Sequence, residues 1–107
     1  MKYSKTASNE LSNEDKKYLI KLLTDNLPLL RACLGLSQKE VSDIIGVSRQ
    51  TYSAIENMRK VMTWNTFLSL ILFWGCNEKT AVMMDKIGIL SPKLNEFLSK
   101  NNREGLI

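Results

Sequence analysis

Histidine is absent from the 107 residues. Its absence removes imidazole metal ligands, histidine-based catalytic triads and a side chain that titrates near neutral pH. Cysteine is scarce as well. Cys33 and Cys76 lie far apart and make no CxxC. A disulfide framework or a zinc cluster is not expected, and a reducing cytoplasm suits two such residues. Both are expected as small buried apolar side chains. Long apolar runs are also missing. The longest near-continuous one, Phe67 to Trp74, falls far short of the roughly 20 residues that a membrane span needs. The first ten residues, MKYSKTASNE, hold no apolar stretch of signal-peptide length. No segment alternates with period two over strand length, and no Asn-Gly or Asp-Gly hairpin signal occurs. A glycine-rich phosphate loop, a GxSxG elbow and a paired-carboxylate constellation are missing too. The expectation is a cytoplasmic, non-enzymatic protein with no membrane partner, no metal and no cofactor.

What is present is ordinary for a globular chain: 44% apolar and 24% charged residues. The length suits one domain with a real core. The net charge of +4 permits nucleic acid as a partner without proving it. Residues 1–26 carry five basic and four acidic residues, 27–62 five and three, and 63–107 five and four, so the excess is nearly uniform.

Residues 1–12 are polar and are expected to form a flexible arm. Ser12 is a plausible N-cap, with Glu14 and Asp15 in the first turn. Leu19, Ile20, Leu22, Leu23 and Leu27 then recur at helical spacing. Pro28 predicts either a kink or the opening of a new helix. Gly35 stops this region. Ser37 and Glu40 form a capping-box pattern, Val41, Ile44 and Ile45 an apolar stripe, and Gly46 a stop after two turns. Ser48 caps the next helix, to about Asn57, with Tyr52 and Ile55 inward and the tyrosine hydroxyl at the surface. Thr63 caps a segment from Trp64 that is apolar on nearly every side and closes at Gly75. Asn77 caps a helix ending at Gly88, and Ser91-Pro92 opens a last one. The expected domain spans 13–100, with six or seven helices and a fraying tail over 101–107. The fold class is all-α.

Two short helices joined at Gly46 by a three- or four-residue turn are the signature of a helix-turn-helix, here about residues 38–57. Ser42 sits where the helices cross, so a small side chain is needed, and Gly46 supplies a left-handed turn. The pieces LGLSQKEV, DIIGVSRQTYSAIEN and TWNTFLSLILFWG, spanning about residues 27–75, resemble the phage repressor and Cro-like family of the xenobiotic-response-element type. The resemblance implies a compact lambda-repressor-like domain, here with an added N-terminal helix and added C-terminal helices. It also implies sequence-specific double-stranded DNA binding as a homodimer, as in a transcriptional repressor.

Carried over by position, the resemblance places Gln38 on a backbone phosphate and Arg49 and Gln50 on base edges. Ser53 and Ala54 become further groove-facing positions, and Arg31 and Glu56 a partly buried structural salt bridge. Three positions depart from the family. Met58 stands where glycine is common, Met62 where proline is common, and Ala54 where a longer polar residue is common.

The chemistry of the residues agrees with these roles. Arginine can bond guanine O6 and N7 together, and glutamine adenine N6 and N7. Ser48 begins the second motif helix, and Thr51 and Ser53 can reach a phosphate or a thymine methyl. Arg59 and Lys60 lie in the following loop, where phosphates are within reach. Lys39, Arg49, Arg59 and Lys60 together would give one DNA-facing set of cations, with Glu40 and Asp43 turned away. The alternative reading is an antitoxin or interaction adaptor on the same scaffold, with a toxin or another regulator as protein partner. Residues 77–100 are expected to complete the core and to form a two-fold interface.

Overall fold

The computed structural model describes residues 11–105, with side chains through Ser99. Residues 1–10 of the expected arm and 106–107 of the expected tail lie outside the described residues. Six helices and no strands occur among the described residues: α1 (Asn13–Leu34), α2 (Gln38–Ile45), α3 (Arg49–Glu56), α4 (Trp64–Gly75), α5 (Glu78–Ile87) and α6 (Pro92–Gly105). The fold is all-α.

Helix α1 begins in a reciprocal cap. Ser12 Oγ accepts from the Asp15 amide, and the Ser12 amide donates to Asp15 Oδ2, both at 3.0 Å. The helix then runs unbroken through Pro28, so the two helices allowed at that point are one. Leu19, Leu23, Leu27 and Leu30 are all fully buried, so one apolar stripe continues across the proline. Burying a leucine is worth roughly 1.5–3 kcal/mol, so the buried Leu27 and Leu30 on either side of the proline offset the lost backbone hydrogen bond. Gly35 ends α1 at φ 66°, and the amides of Gly35 and Leu36 return to Ala32 and Arg31 carbonyls.

Around α1 the other helices close the core. It packs against α3, α4 and α5, while α2 lies on α3 and α4. Phe67, Leu70 and Trp74 of α4 are fully buried. The segment is not covered on every side, because Leu72 remains 69% exposed. Trp64 stacks on Phe67 with ring centroids 4.6 Å apart, and Lys16 Nζ lies 5.1 Å from the Trp64 ring centre. Thr80, Met84, Ile89 and Leu94 are buried as well, so residues from α5 to α6 complete the core. Among the described residues, two deeply buried polar atoms, Asp15 Oδ1 and Trp74 Nε1, have no hydrogen-bond partner.

Several local expectations are corrected. Ile44 is 53% exposed, because the fully inward face of this two-turn helix carries only Val41 and Ser42. Helix α4 closes at Gly75 as expected, with Cys76 at the cap position, φ −80°. Cys76 is exposed because it lies just past the end of α4, and Cys33 is half-buried because it borders an open groove against α5. Asn77 stands at the N-cap of α5 as expected, but its side chain makes no cap bond. Its Nδ2 donates to the Phe73 carbonyl at 3.0 Å instead. Helix α6 extends to Gly105, past the expected domain end at Lys100. Extending a nucleated helix needs only one hydrogen bond per residue fixed, so the polar residues after Lys100 continue it.

Candidate nucleic-acid interface

The two helices of the motif are held by local chemistry. Ser37 Oγ accepts from the Glu40 amide at 3.0 Å, and Glu40 Oε1 accepts from the Ser37 amide at 2.8 Å. Ser42 is fully buried, and its hydroxyl is satisfied by the Lys39 carbonyl at 2.8 Å. Gly46 stands at φ 83°, a left-handed backbone that a side chain disfavours. The amides of Gly46 and Val47 both return to the Ser42 carbonyl. Ser48 then caps α3, its Oγ accepting from the Thr51 amide at 3.0 Å and donating to Thr51 Oγ1 at 2.9 Å.

Helix α3 has an inner and an outer side. Tyr52, Ile55 and Glu56 are buried. At 100° per residue Gln50, Ser53 and Ala54 lie on the opposite side, while Arg49 lies close to the Glu56 direction and is free because it is the first residue of the helix. Arg49 and Gln50 are exposed, and Ser53 and Ala54 half-buried. Ser53 Oγ accepts from Asn57 Nδ2 at 3.3 Å.

Beneath that surface lies a polar cluster centred on Glu56. Arg31 Nη2 and Nε reach its two oxygens at 2.8 and 3.1 Å, a bidentate pair joining α1 to α3. Tyr52 Oη donates to Oε2 at 2.9 Å, and Gln38 Nε2 donates to Oε1 at 2.7 Å. Arg31 Nη1 also reaches the Leu36 carbonyl at 3.1 Å. Burial alone would push the Glu56 carboxyl up. The hydrogen bonds from Arg31, Gln38 and Tyr52 outweigh burial and hold it below the ordinary carboxylate range. The Glu56 hydrogen bond raises the Arg31 guanidinium, and burial followed by the Glu56 charge raises the Tyr52 hydroxyl.

Two consequences were not readable from motif positions. The Tyr52 hydroxyl, expected at the surface, is buried on Glu56; the four-residue spacing on one helix was the available signal. Gln38 spends one amide hydrogen on Glu56, so only the second is left to point outward.

The cations divide differently from the expected set. Arg49, Arg59 and Lys60 are exposed. Lys39 is paired with Asp43 at 2.9 Å, so Asp43 is not turned away from it. The loop after α3 turns at Met58, with φ 65°, the one non-glycine residue at positive φ among those described. The Met58 amide reaches the Ile55 carbonyl at 3.0 Å and the Arg59 amide the Ala54 carbonyl at 2.8 Å. The glycine-like turn is therefore kept without the glycine.

Residues 30–62 match the family model described as Helix-turn-helix. Over that segment the chain is similar to helix-turn-helix domains of the Cro/CI type. No curated protein and no solved structure matches the chain. The helix-turn-helix takes in the end of α1, all of α2 and α3 and the loop after them. Most of α1 and all of α4, α5 and α6 lie outside the match. The match supports a DNA-binding transcription regulator. Among the described residues no helix is long and apolar enough to cross a membrane, and no group of three or more Cys, Asp or Glu residues could hold a metal ion.

Proposed function

We propose that this protein binds double-stranded DNA sequence-specifically as a dimer and represses transcription by occupying a palindromic operator. The observation that carries this reading is the division of α3. Tyr52, Ile55 and Glu56 anchor the inner side, while Arg49 and Gln50, the first two residues of the helix, stand exposed at its N-terminal end. A helix held this way can present its first turn to a major groove.

In this reading Arg49 bonds guanine O6 and N7, and Gln50 bonds adenine N6 and N7. Ser53 and Ala54 meet the groove one turn later. Ser48 and Thr51, with their hydroxyls on each other, border the phosphates. Gln38 offers its remaining amide hydrogen to the backbone from the start of α2, and Arg59 and Lys60 meet phosphates from the loop. Residues 13–100 act as one domain. The exposed Val82 and Leu98, in the segment after α4, support a two-fold contact there.

The test is selection of binding sequences from a random DNA pool. A palindrome with half-sites roughly 34–36 Å apart is expected. On the selected operator, Arg49→Ala should weaken binding by roughly 1–3 kcal/mol while random DNA is bound nearly as before. Equal binding of the operator by wild type and variant would remove Arg49 from base readout.

A further inference from the structure

Away from the outer side of α3, a groove of about 410 Å³ opens between α1 and the loop after α3. Its apolar lining comes from Ile20 and Thr24 of α1 and from Met58 and Val61 of the loop. Met58 is 59% exposed and Val61 77% exposed, so both present apolar surface to solvent. Lys17, Lys21 and Lys60 also line the groove.

The hydrogen-bonding chemistry of this groove is one-sided. The Thr24 hydroxyl is already spent on the Ile20 carbonyl at 2.7 Å. Lys21 is held by Asp25 at 2.8 and 2.9 Å. Lys17 and Lys60 make no ion pair among the described residues. The side chains available to a ligand are therefore ammonium donors over an apolar lining, with no free side-chain acceptor. A lysine can lay its stem along an apolar chain and keep its charge at the chain's end. The matching ligand has an apolar body and one anionic acceptor head. The volume lies near the lower end of the roughly 300–1,000 Å³ of small-molecule sites.

We propose that this groove binds a single-chain carboxylate amphiphile of the fatty-acid class, with its carboxylate between Lys17 and Lys60. Inorganic phosphate or a DNA strand would satisfy the lysines but leave Met58 and Val61 uncovered. Occupancy also engages Lys60, one of the loop cations assigned above to DNA phosphate. Ligand and DNA then compete for it, and this second half rests on the DNA-binding reading.

The experiment is a methyl-resolved NMR titration of the full chain with decanoate, decanol and acetate. Decanoate should give saturable shifts at the Ile20, Met58 and Val61 methyls, with decanol binding at least roughly tenfold more weakly. Acetate should give none. Val61→Glu places a like charge in an exposed position and should abolish decanoate binding, with an unchanged thermal midpoint showing that the fold is intact. Equal binding of decanoate and decanol overturns the proposal, as does the absence of saturable shifts at these methyls. If Lys17→Ala lowers the salt dependence of DNA binding by about one unit while decanoate does not bind, the lysines belong to the DNA contact instead. With the selected operator, decanoate should weaken DNA binding severalfold, and Val61→Glu should lose that effect. Binding of decanoate with no change in DNA affinity overturns the competition and leaves the ligand site. Methyl shifts in a chain that selects no DNA sequence leave the groove standing and remove the function proposed above.

Discussion

Glu56 is a carboxylate under three side-chain donors, with its side chain 4% exposed and that of Arg31 23% exposed. A charge buried this far depends on its partners, so removing it should be costly. Glu56→Gln should lower stability by about 3 kcal/mol, the lower end of the range for a broken buried pair, because Arg31 keeps some access to water. The folded carboxyl lies below its ordinary value, so in acid the unfolded state binds the extra proton. Its contribution is thus complete above the unfolded value of about 4.3 and is lost as pH falls through the lower folded value. Denaturant midpoints measured from pH 7 downward should fall in that acid window for the wild type and change less for Glu56→Gln. Met58 poses the opposite case. A left-handed backbone costs a residue with a side chain roughly 1–2 kcal/mol, and part of this is returned by the stiffer unfolded chain. Met58→Gly should therefore raise stability by about 0.5–1 kcal/mol, read as a higher denaturant midpoint. The Arg31–Glu56 pairing was available only through family resemblance, since 25 residues separate the two. The Gln38 bond was hidden for a different reason. A long polar side chain at a helix start can point to solvent or inward, and only the position of Glu56 decides.

At the scale of the elements, capping chemistry was the most legible signal. Ser12, Ser37, Ser48 and Thr63 each accept from the amide three residues on, as small hydroxyl residues before apolar periodicity should. Breakers were read less well, because tertiary packing overrides them. Pro28 lies inside α1, since Leu27 and Leu30 both belong to the buried stripe. Gly75 closes α4 as its last helical residue, and an added Cβ there would make only ordinary contact with Met84 Cε at 3.7 Å. Gly46 differs, because its need is for φ 83° and nothing lies within 4 Å of an added Cβ. Gly46→Ala should cost about 1–2 kcal/mol from backbone strain alone, without repacking. A thermal midpoint equal to wild type would show that the α2–α3 turn tolerates a side chain.

At the scale of the whole molecule, the uniform charge says less than its placement. Lys39 is neutralised by Asp43 and Arg31 by Glu56, which leaves Arg49, Arg59 and Lys60 as the cations of the motif not held in an ion pair. A dimer brings two such sets to one duplex, and affinity should then fall steeply with added salt. Light scattering across a range of protein concentrations should show twice the monomer mass at the upper end; monomer throughout would remove the dimer. The packing of the described helices also places the chain's two tryptophans in unlike surroundings. Trp74 is wholly enclosed where α4 meets its neighbours, whereas Trp64 is half-buried at the helix start beneath Lys16. A water-borne quencher therefore reaches the emission of one and not the other in the native state. Loosening of the first turns of α1 carries its own optical signature, separable from melting of the core.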